Sequence, residues 1–244
     1  MSYFAAIVLL AGAASIKATD GRAVAATFVA AENTPAPAIV LVVDEGHPRS
    51  EWAAVAKKLA DAGIASLAIE TRAAPKDPAQ AAPDVIGAVA WLRRQKGIDG
   101  TRILLAGGGA SSLIALDAAT ADEKIAGVAL ISSPLKRGEL DGMAAVGIYG
   151  ARPLFVAVGK ADPDAAKAAL VLDGSALGSH KIHLAQSSGK GAKLIAGDAE
   201  ALSAFVAWAQ ESTSLAKPAI TEIPRDPAGA TPMPTCPGDA KSCG

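Results

Sequence analysis

Aromatic residues, histidines and uncompensated charge are all scarce in this sequence of 244 residues. Aromatics make up 4% of the chain, and small apolar residues, alanine above all, favour helices packed closely on a sheet. Lysine and arginine number 23 against 24 aspartates and glutamates, and the basic residues form no run. The near-zero net charge excludes a polycationic nucleic-acid-binding protein, so we expect no nucleic-acid partner.

A long apolar run is also missing. A helix that crosses a bilayer takes about 20 consecutive apolar residues, so we expect a protein that is not integral to a membrane. The N-terminus carries a shorter apolar stretch, Tyr3–Leu10, and then Ala11-Gly12-Ala13, which has the A-x-A form of a signal-peptide cleavage site. No lysine or arginine precedes it, and a first buried strand is the alternative. We predict a signal peptide over residues 1–14 and a periplasmic or secreted protein, with a cytoplasmic one as the alternative.

The two cysteines, Cys236 and Cys243, both lie close to the C-terminus. An oxidising compartment would let them form a local disulfide, and two free thiols are the alternative. A metal site would need more ligands, and no histidine lies nearby. We therefore predict a disulfide here, no metal and no cofactor.

Apolar runs of strand length alternate with helical patterns along most of the chain. This alternation predicts an α/β domain over residues 15–212, with a mainly parallel sheet and helices on both faces. A proline-rich and mostly disordered tail is expected over residues 213–244. The predicted strands are Ala23–Ala30, Ala38–Val43, Ile64–Ile69, Arg102–Ala106, Gly127–Ile131, Leu154–Val158 and Lys181–Ala185.

Capping residues help to place the predicted helices. Ser50 is a suitable N-cap for a helix over Glu51–Ala62, which Gly63 would end. A third helix should follow the glycine cluster at 107–109. The other predicted helices are Pro83–Lys96, the residues after Asp162-Pro163, where proline suits the first helical position, and Asp198–Gln210.

The stretch RILLAGGGASSLIAL joins a predicted strand to a predicted helix through Gly107, Gly108 and Gly109. A dinucleotide-binding turn needs a glycine where Ser112 stands and an acid after the next strand, and both are missing. A phosphate-binding P-loop needs a Gly-Lys-Ser/Thr sequence, which is also missing. The nucleophile elbow, G-x-S-x-G, agrees in its flanking strand, spacing and following helix, but glycine occupies the serine position.

With this turn in place, the chain resembles the α/β-hydrolase superfamily, nearest to dienelactone-hydrolase-like proteins and related esterases and peptidases. The resemblance covers most of Ile16–Gln210 and implies the α/β-hydrolase fold. Its specificity lies in the order and spacing of several segments. These segments are IKATDGRAVAATFV, IVLVVDEGHPRSEWAAVAKKLADAGIASLAIETR, DVIGAVAWLRRQKGIDGTRILLAGGGAS, RPLFVAVGKADP and SSGKGAKLI.

The resemblance implies a triad of nucleophile, acid and histidine, and each position can be carried over to this sequence. The nucleophile falls on Gly109, the acid on Asp162 and the histidine on Lys190. A lysine that is protonated at neutral pH is a poor base. We therefore expect Lys190 and Asp162 to form an ion pair in place of the usual hydrogen bond between histidine and aspartate.

The oxyanion region implied by the resemblance is altered as well. Relatives carry His-Gly at the end of the third strand, where this sequence has Asp44-Glu45, and Ala110 follows the elbow. A carboxylate at this place would repel a developing oxyanion rather than stabilise it.

Two functions are consistent with these residues. The favoured hypothesis is a catalytically inactive hydrolase-like protein that binds a small ligand in its pocket or a protein partner on its surface. The alternative is a serine-type hydrolase of esters or small peptides that uses Ser111 or Ser112 with Lys190. In an inactive protein, the same two serines would be ordinary residues of an N-cap or first helical turn.

Overall fold

Apolar runs along the chain form the strands of one large sheet, as expected of segments that are covered on both faces. The structure, a computed structural model, describes residues 11–73 and 78–214. The strands within these residues are β1 Ala11–Lys17, β2 Ala23–Val29, β3 Ala36–Val42, β4 Ala65–Ile69, β5 Ile98–Gly108, β6 Ile125–Ile131, β7 Lys136–Arg137, β8 Leu140–Asp141, β9 Leu154–Gly159 and β10 His180–Ala185.

Eight of these strands form the main sheet in the order β1-β2-β4-β3-β5-β6-β9-β10. The β1–β2 hairpin is antiparallel, β2 is antiparallel to β4, and the remaining pairings of the sheet are parallel. The two-residue strands β7 and β8 form a separate short hairpin. This order differs from the 3-2-1-4-5-6 order of a dinucleotide-binding sheet, so the hypothesis of a dinucleotide-binding fold is not supported.

Helices cover both faces of the sheet, as predicted. Two 3₁₀ turns, Arg49–Trp52 and Pro78–Ala81, precede the first two helices. The helices are α1 Ala53–Asp61, α2 Ala82–Arg93, α3 Ser111–Thr120, α4 Gly142–Tyr149, α5 Pro163–Gly174, α6 Ala192–Ala196 and α7 Ala199–Ser214.

The core consists of two apolar layers, one on each face of the sheet. Alternate residues of a strand point to opposite faces. Val40 and Leu105 therefore belong to the layer beneath α2, α3, α4 and α5. Leu41 belongs to the opposite layer, where Trp52 and Phe205 join residues of α1 and α6. Because central strands are buried on both sides, their sequences are apolar almost throughout.

One predicted helix start is wrong. Ser50 does not cap the first helix, because it lies inside the 3₁₀ turn Arg49–Trp52, and α1 begins only at Ala53. The extended Pro48 precedes that turn, so the chain becomes helical before Ser50 is reached. The end of the helix is as predicted, since Gly63 has the left-handed φ of +81° that favours glycine.

The N-terminal hairpin includes the segment that resembles a cleavage site. Ala11, Gly12 and Ala13 lie in β1, and Ala11 is opposite Val29 of β2. Residues 1–10 and 215–244 lie outside the described residues, and with them Cys236 and Cys243. The signal peptide, the disulfide and the disordered tail therefore remain predictions. Among the described residues, no helix combines the length and apolar character that a membrane span requires.

A buried carboxylate joins the hairpin, the end of β4 and α2. Asp84 of α2 is fully buried and accepts hydrogen bonds from the Arg72 backbone amide and from its Nη2, both at 2.7 Å. Arg22 of the hairpin donates to the same carboxylate at 3.2 Å. One side chain therefore joins three separate segments, and Arg72 also pairs with Asp20 of the hairpin at 2.6 Å.

Candidate functional site

The glycine cluster forms a sharp turn from a strand into a helix. β5 ends at Gly108, Gly109 has a left-handed φ of +55°, and α3 begins at Ser111. A Cβ atom on Gly107 would lie 2.4 Å from the Cα atom of Ser112, so only glycine allows the strand and helix to approach so closely. The turn therefore has the strand–turn–helix geometry of a nucleophile elbow.

The place that a side chain at the apex would occupy is filled by a carboxylate. A Cβ atom built on Gly109 would lie 2.0 Å from Oδ2 of Asp44 and 2.6 Å from its Cγ. Asp44 follows β3, so the loop after β3 carries this carboxylate to the elbow. The apex thus lacks a nucleophilic side chain, and a side chain placed there would require the Asp44 carboxylate to move.

Asp44 is held at the N-terminal end of α3. Its Oδ1 atom accepts from the Ser111 backbone amide at 3.4 Å and the Ser111 hydroxyl at 3.5 Å, and from the Glu45 amide at 3.1 Å. A negative charge is favoured at this end of a helix by the unpaired amides and the helix dipole. Ala110 separates the apex Gly109 from Ser111, so the carboxylate lies at the first residue of α3, two residues past the apex.

Glu45, the other acid of the predicted oxyanion region, has a different partner. Its carboxylate forms an ion pair with Nη2 of Arg137, in the β7 strand. Asp44 takes part in no ion pair within residues 11–73 and 78–214, where all its hydrogen-bond donors are neutral. The two neighbouring acids therefore differ: the charge of Glu45 is compensated and that of Asp44 is not.

The expected ion pair between the acid and histidine positions is present. Nζ of Lys190 lies 2.5 Å from Oδ2 of Asp162. The ammonium lowers the pKa of Asp162, and the carboxylate in turn raises the pKa of Lys190, each mainly through their hydrogen bond. Asp162 also caps α5 by accepting from the Ala165 amide at 3.1 Å. Lys190 is thus held in the protonated form, in which it cannot accept a proton from a nucleophile.

The two serines that could replace the nucleophile are buried. Ser111 and Ser112 are 1% and 0% exposed. The Ser112 hydroxyl donates to the Gly109 carbonyl oxygen at 2.6 Å, which makes it a local contact of the turn. No hydrogen bond joins either serine to Lys190 in the described part of the chain. The alternative Ser–Lys pair is therefore not brought together in this structure.

The loop that carries Lys190 packs on the elbow through backbone contacts that the sequence analysis missed. A Cβ atom on Gly108 would lie 2.9 Å from the Cα atom of Gly191. The Gly191 amide donates to the hydroxyl of Ser132 at 3.2 Å, and Ser132 has a left-handed φ of +54°. Left-handed φ values in non-glycine residues are uncommon, and they cluster at functional sites. The glycines on either side of Lys190 were the only sequence signal for this close approach.

Two neighbouring cavities lie on the side of Asp44, which borders the first of them. We call the first the elbow cavity; it has a volume of about 360 Å³ and is bordered by Asp44, Glu45, His47 and Glu70. We call the second the side pocket; its volume is about 580 Å³, and it lies between β2, β4 and the helical segment 49–57. Pro48 and Glu70 border both cavities, so the two are adjacent. Within the described residues, no group of three or more His, Cys, Asp or Glu is placed to hold a metal.

Several solved structures share this fold at low sequence identity. The alpha/beta hydrolase GrgF from Penicillium has a TM-score of 0.70 and 13% identity, covering 84% of this chain and 100% of that one. A dienelactone hydrolase from Anabaena variabilis has a TM-score of 0.65 and 16% identity, over 84% and 96% of the two chains. One of two fungal esterases from Rhizomucor miehei has a TM-score of 0.69 and 12% identity, covering 85% of each chain. No family model and no curated protein matches the sequence.

Proposed function

We infer that this chain, which has the α/β-hydrolase fold, is a catalytically inactive protein whose altered elbow serves binding. The observation that carries this proposal is the Asp44 carboxylate, which occupies the space of the nucleophile side chain at Gly109. Fold alone does not decide activity, because function resides in the residues of the site.

Acyl transfer on this fold needs a nucleophile, a base and donors for the oxyanion, and this site has lost all three functions. Gly109 offers no nucleophile. Lys190 is engaged by Asp162 and stays protonated. The positive end of α3, which would stabilise an oxyanion, already holds a carboxylate. Restoring one group would therefore not restore the reaction.

Glycine at the apex also favours stability over catalysis. A serine with a left-handed φ is strained by roughly 1–2 kcal/mol, and glycine adopts the same conformation without that strain. A protein freed from catalysis can keep such a stabilising change, because no activity opposes it. The intact sheet and core agree with a domain that is retained for its shape.

The proposal is tested by the hydrolysis of p-nitrophenyl acetate with purified full-length protein. We expect the rate to equal that of a blank, and the rate to stay the same in Ser111→Ala and Lys190→Ala. Hydrolysis above the blank that either substitution removes would contradict the proposal and establish the serine-type hydrolase instead. A periplasmic or secreted location is a separate proposal, which sequencing of the mature N-terminus would test.

A further inference from the structure

The side pocket has the size and lining of a small-molecule site. Binding pockets for small ligands have volumes of roughly 300–1,000 Å³ and mostly apolar walls, and this one is about 580 Å³. Val29 of β2 and Ala68 of β4 border it on the sheet side. Trp52 and Ala56 border it on the helical side. These side chains offer an apolar ligand a continuous apolar surface.

Charged side chains at the side pocket already have partners of opposite charge. Arg49 donates from Nε to the Thr27 hydroxyl at 3.1 Å, and its Nη1 lies 2.9 Å from Glu70. Lys57 pairs with Asp61, one helical turn further along α1, at 3.1 Å. The side pocket therefore has no uncompensated charge that would attract an anionic or cationic group of a ligand.

Among the acids that border the adjacent elbow cavity, Asp44 is the one without a cationic partner in the described residues, and the His47 ring lies beside Glu51. Glu45 is paired with Arg137, and Glu70 with Arg49. Asp44 has no cationic partner in the described residues, and neutral donors alone satisfy its Oδ1 atom. Its Oδ2 atom, the one nearest to Gly109, receives no hydrogen bond from the described residues. A ligand cation at this point would meet an unpaired carboxylate.

We propose that the two cavities form one binding site for an amphipathic amine, with the apolar body in the side pocket and the ammonium beside Asp44. Pro48 and Glu70, which border both cavities, mark the passage between the two halves of the ligand. A charge-assisted hydrogen bond to Asp44 fixes the head, and burial of apolar surface supplies most of the affinity. An anion of the same length is rejected, because its head would face the unpaired carboxylate. This assignment rests on the proposed function, since it treats the elbow as a binding wall.

Isothermal titration calorimetry of the full-length protein with n-decylamine, compared with n-decanoate, tests the proposal. We expect decylamine to bind at one saturable site and decanoate to bind much more weakly. Ala53→Trp places an indole in the side pocket and should abolish saturable binding. Ala54→Trp is the matched control: this neighbouring residue is also exposed but lies outside the pocket, so binding should be unchanged.

The position of the ammonium is tested by Asp44→Asn. We expect decylamine to bind about tenfold more weakly, as for the loss of one charge-assisted hydrogen bond, while n-decanol binds as it does to the unaltered protein. Equal binding of decylamine and decanoate, or equal losses in Ala53→Trp and Ala54→Trp, would overturn the proposal. Esterase activity together with decylamine binding would contradict only the proposal of an inactive protein. An inactive protein that does not bind decylamine would contradict only the proposal of an amine-binding site.

Discussion

At the scale of single residues, Gly109 and Asp44 exclude any larger side chain from each other's place. The carboxylate lies where a Cβ atom at the apex would be, and the left-handed backbone there disfavours any residue but glycine. A side chain at residue 109 therefore requires the Asp44 carboxylate to move, so substitutions at the two positions should be coupled.

This coupling gives a first prediction about stability. Gly109→Ser should lower the free energy of unfolding by about 2–4 kcal/mol, from the left-handed backbone and the collision with Asp44. The double variant Gly109→Ser with Asp44→Ala should recover the part due to the collision and lose only about 1–2 kcal/mol. Urea unfolding of the two single variants and the double variant measures the coupling. Strictly additive effects would contradict it.

A second prediction separates the two roles of Asp162. Asp162→Asn keeps an N-cap for α5 and loses the ion pair with Lys190, which should cost less than about 1 kcal/mol at pH 7 because Lys190 is largely exposed. Asp162→Ala also loses the cap to Ala165, which should cost about 1 kcal/mol more. Thermal or urea unfolding of the three proteins measures both differences.

The pH dependence of that ion pair has a definite sign. The pKa of Asp162 is lowered in the folded protein, mainly by Lys190, so the stabilisation is complete above the unfolded pKa of about 3.9. It is lost as the pH falls through the lower folded pKa. The difference in the free energy of unfolding between Asp162→Asn and the unaltered protein should therefore disappear at acidic pH. If this difference stayed constant from pH 7 to pH 3, the ion pair would contribute nothing to stability.

At the scale of elements, α2 depends on a glycine for its approach to β1. A Cβ atom on Gly87 would lie 2.3 Å from the carbonyl oxygen of Lys17. Gly87→Ala should therefore destabilise the protein by about 1–3 kcal/mol, although alanine is the better helix former. Gly147→Ala in α4 is the matched control: its Cβ atom would have no neighbour within 4 Å, so it should stabilise by about 0.5–1 kcal/mol. Thermal unfolding gives both values, and a stabilising Gly87→Ala would contradict the packing described here.

Most elements could be predicted from the sequence, because central strands and capped helices carry local signals. The apolar runs of β3, β4, β6 and β9 and the stop at Gly63 are of this kind. The helix α4 was not predicted, since its sequence GMAAVGIY is apolar and small throughout and has no periodic pattern. The strand β1 was left as an alternative, because its alanines also fit a cleavage site.

The site was predictable in part, for a different reason. The strand–turn–helix around the glycines has a local sequence signal, whereas the Asp162–Lys190 pair was expected only because the resemblance to α/β-hydrolases placed the acid and histidine positions there. Neither source predicts the contact of Asp44 with Ser111, 67 residues further on. Sequence analysis placed a repulsive carboxylate near the oxyanion region, but it could not show that this carboxylate fills the nucleophile's space. Distances across the sheet are set by packing, which no local pattern encodes.

At the scale of the whole molecule, Asp84 joins α2 to the β1–β2 hairpin and to the residues that follow β4. Asp84→Ala removes the bidentate partner of Arg72. Because Arg72 keeps its ion pair with Asp20, the cost should lie at the low end of the range for breaking a buried pair, about 3 kcal/mol. Asp61→Ala, which breaks only the surface pair with Lys57, should cost less than about 0.5 kcal/mol. Urea unfolding compares the two variants. Equal effects would mean that the buried network does not support the fold.

The measurement that tests the central claim most directly is the intact mass of the protein after incubation with a fluorophosphonate probe. We expect the unaltered protein to gain no probe mass, because Gly109 has no hydroxyl and Ser111 and Ser112 are buried. A variant that combines Asp44→Gly, Gly109→Ser and Lys190→His should gain one probe mass at residue 109, since it regains the space, the nucleophile and the base. One probe mass on the unaltered protein, mapped to Ser111 or Ser112, would contradict the account and establish a rebuilt serine hydrolase.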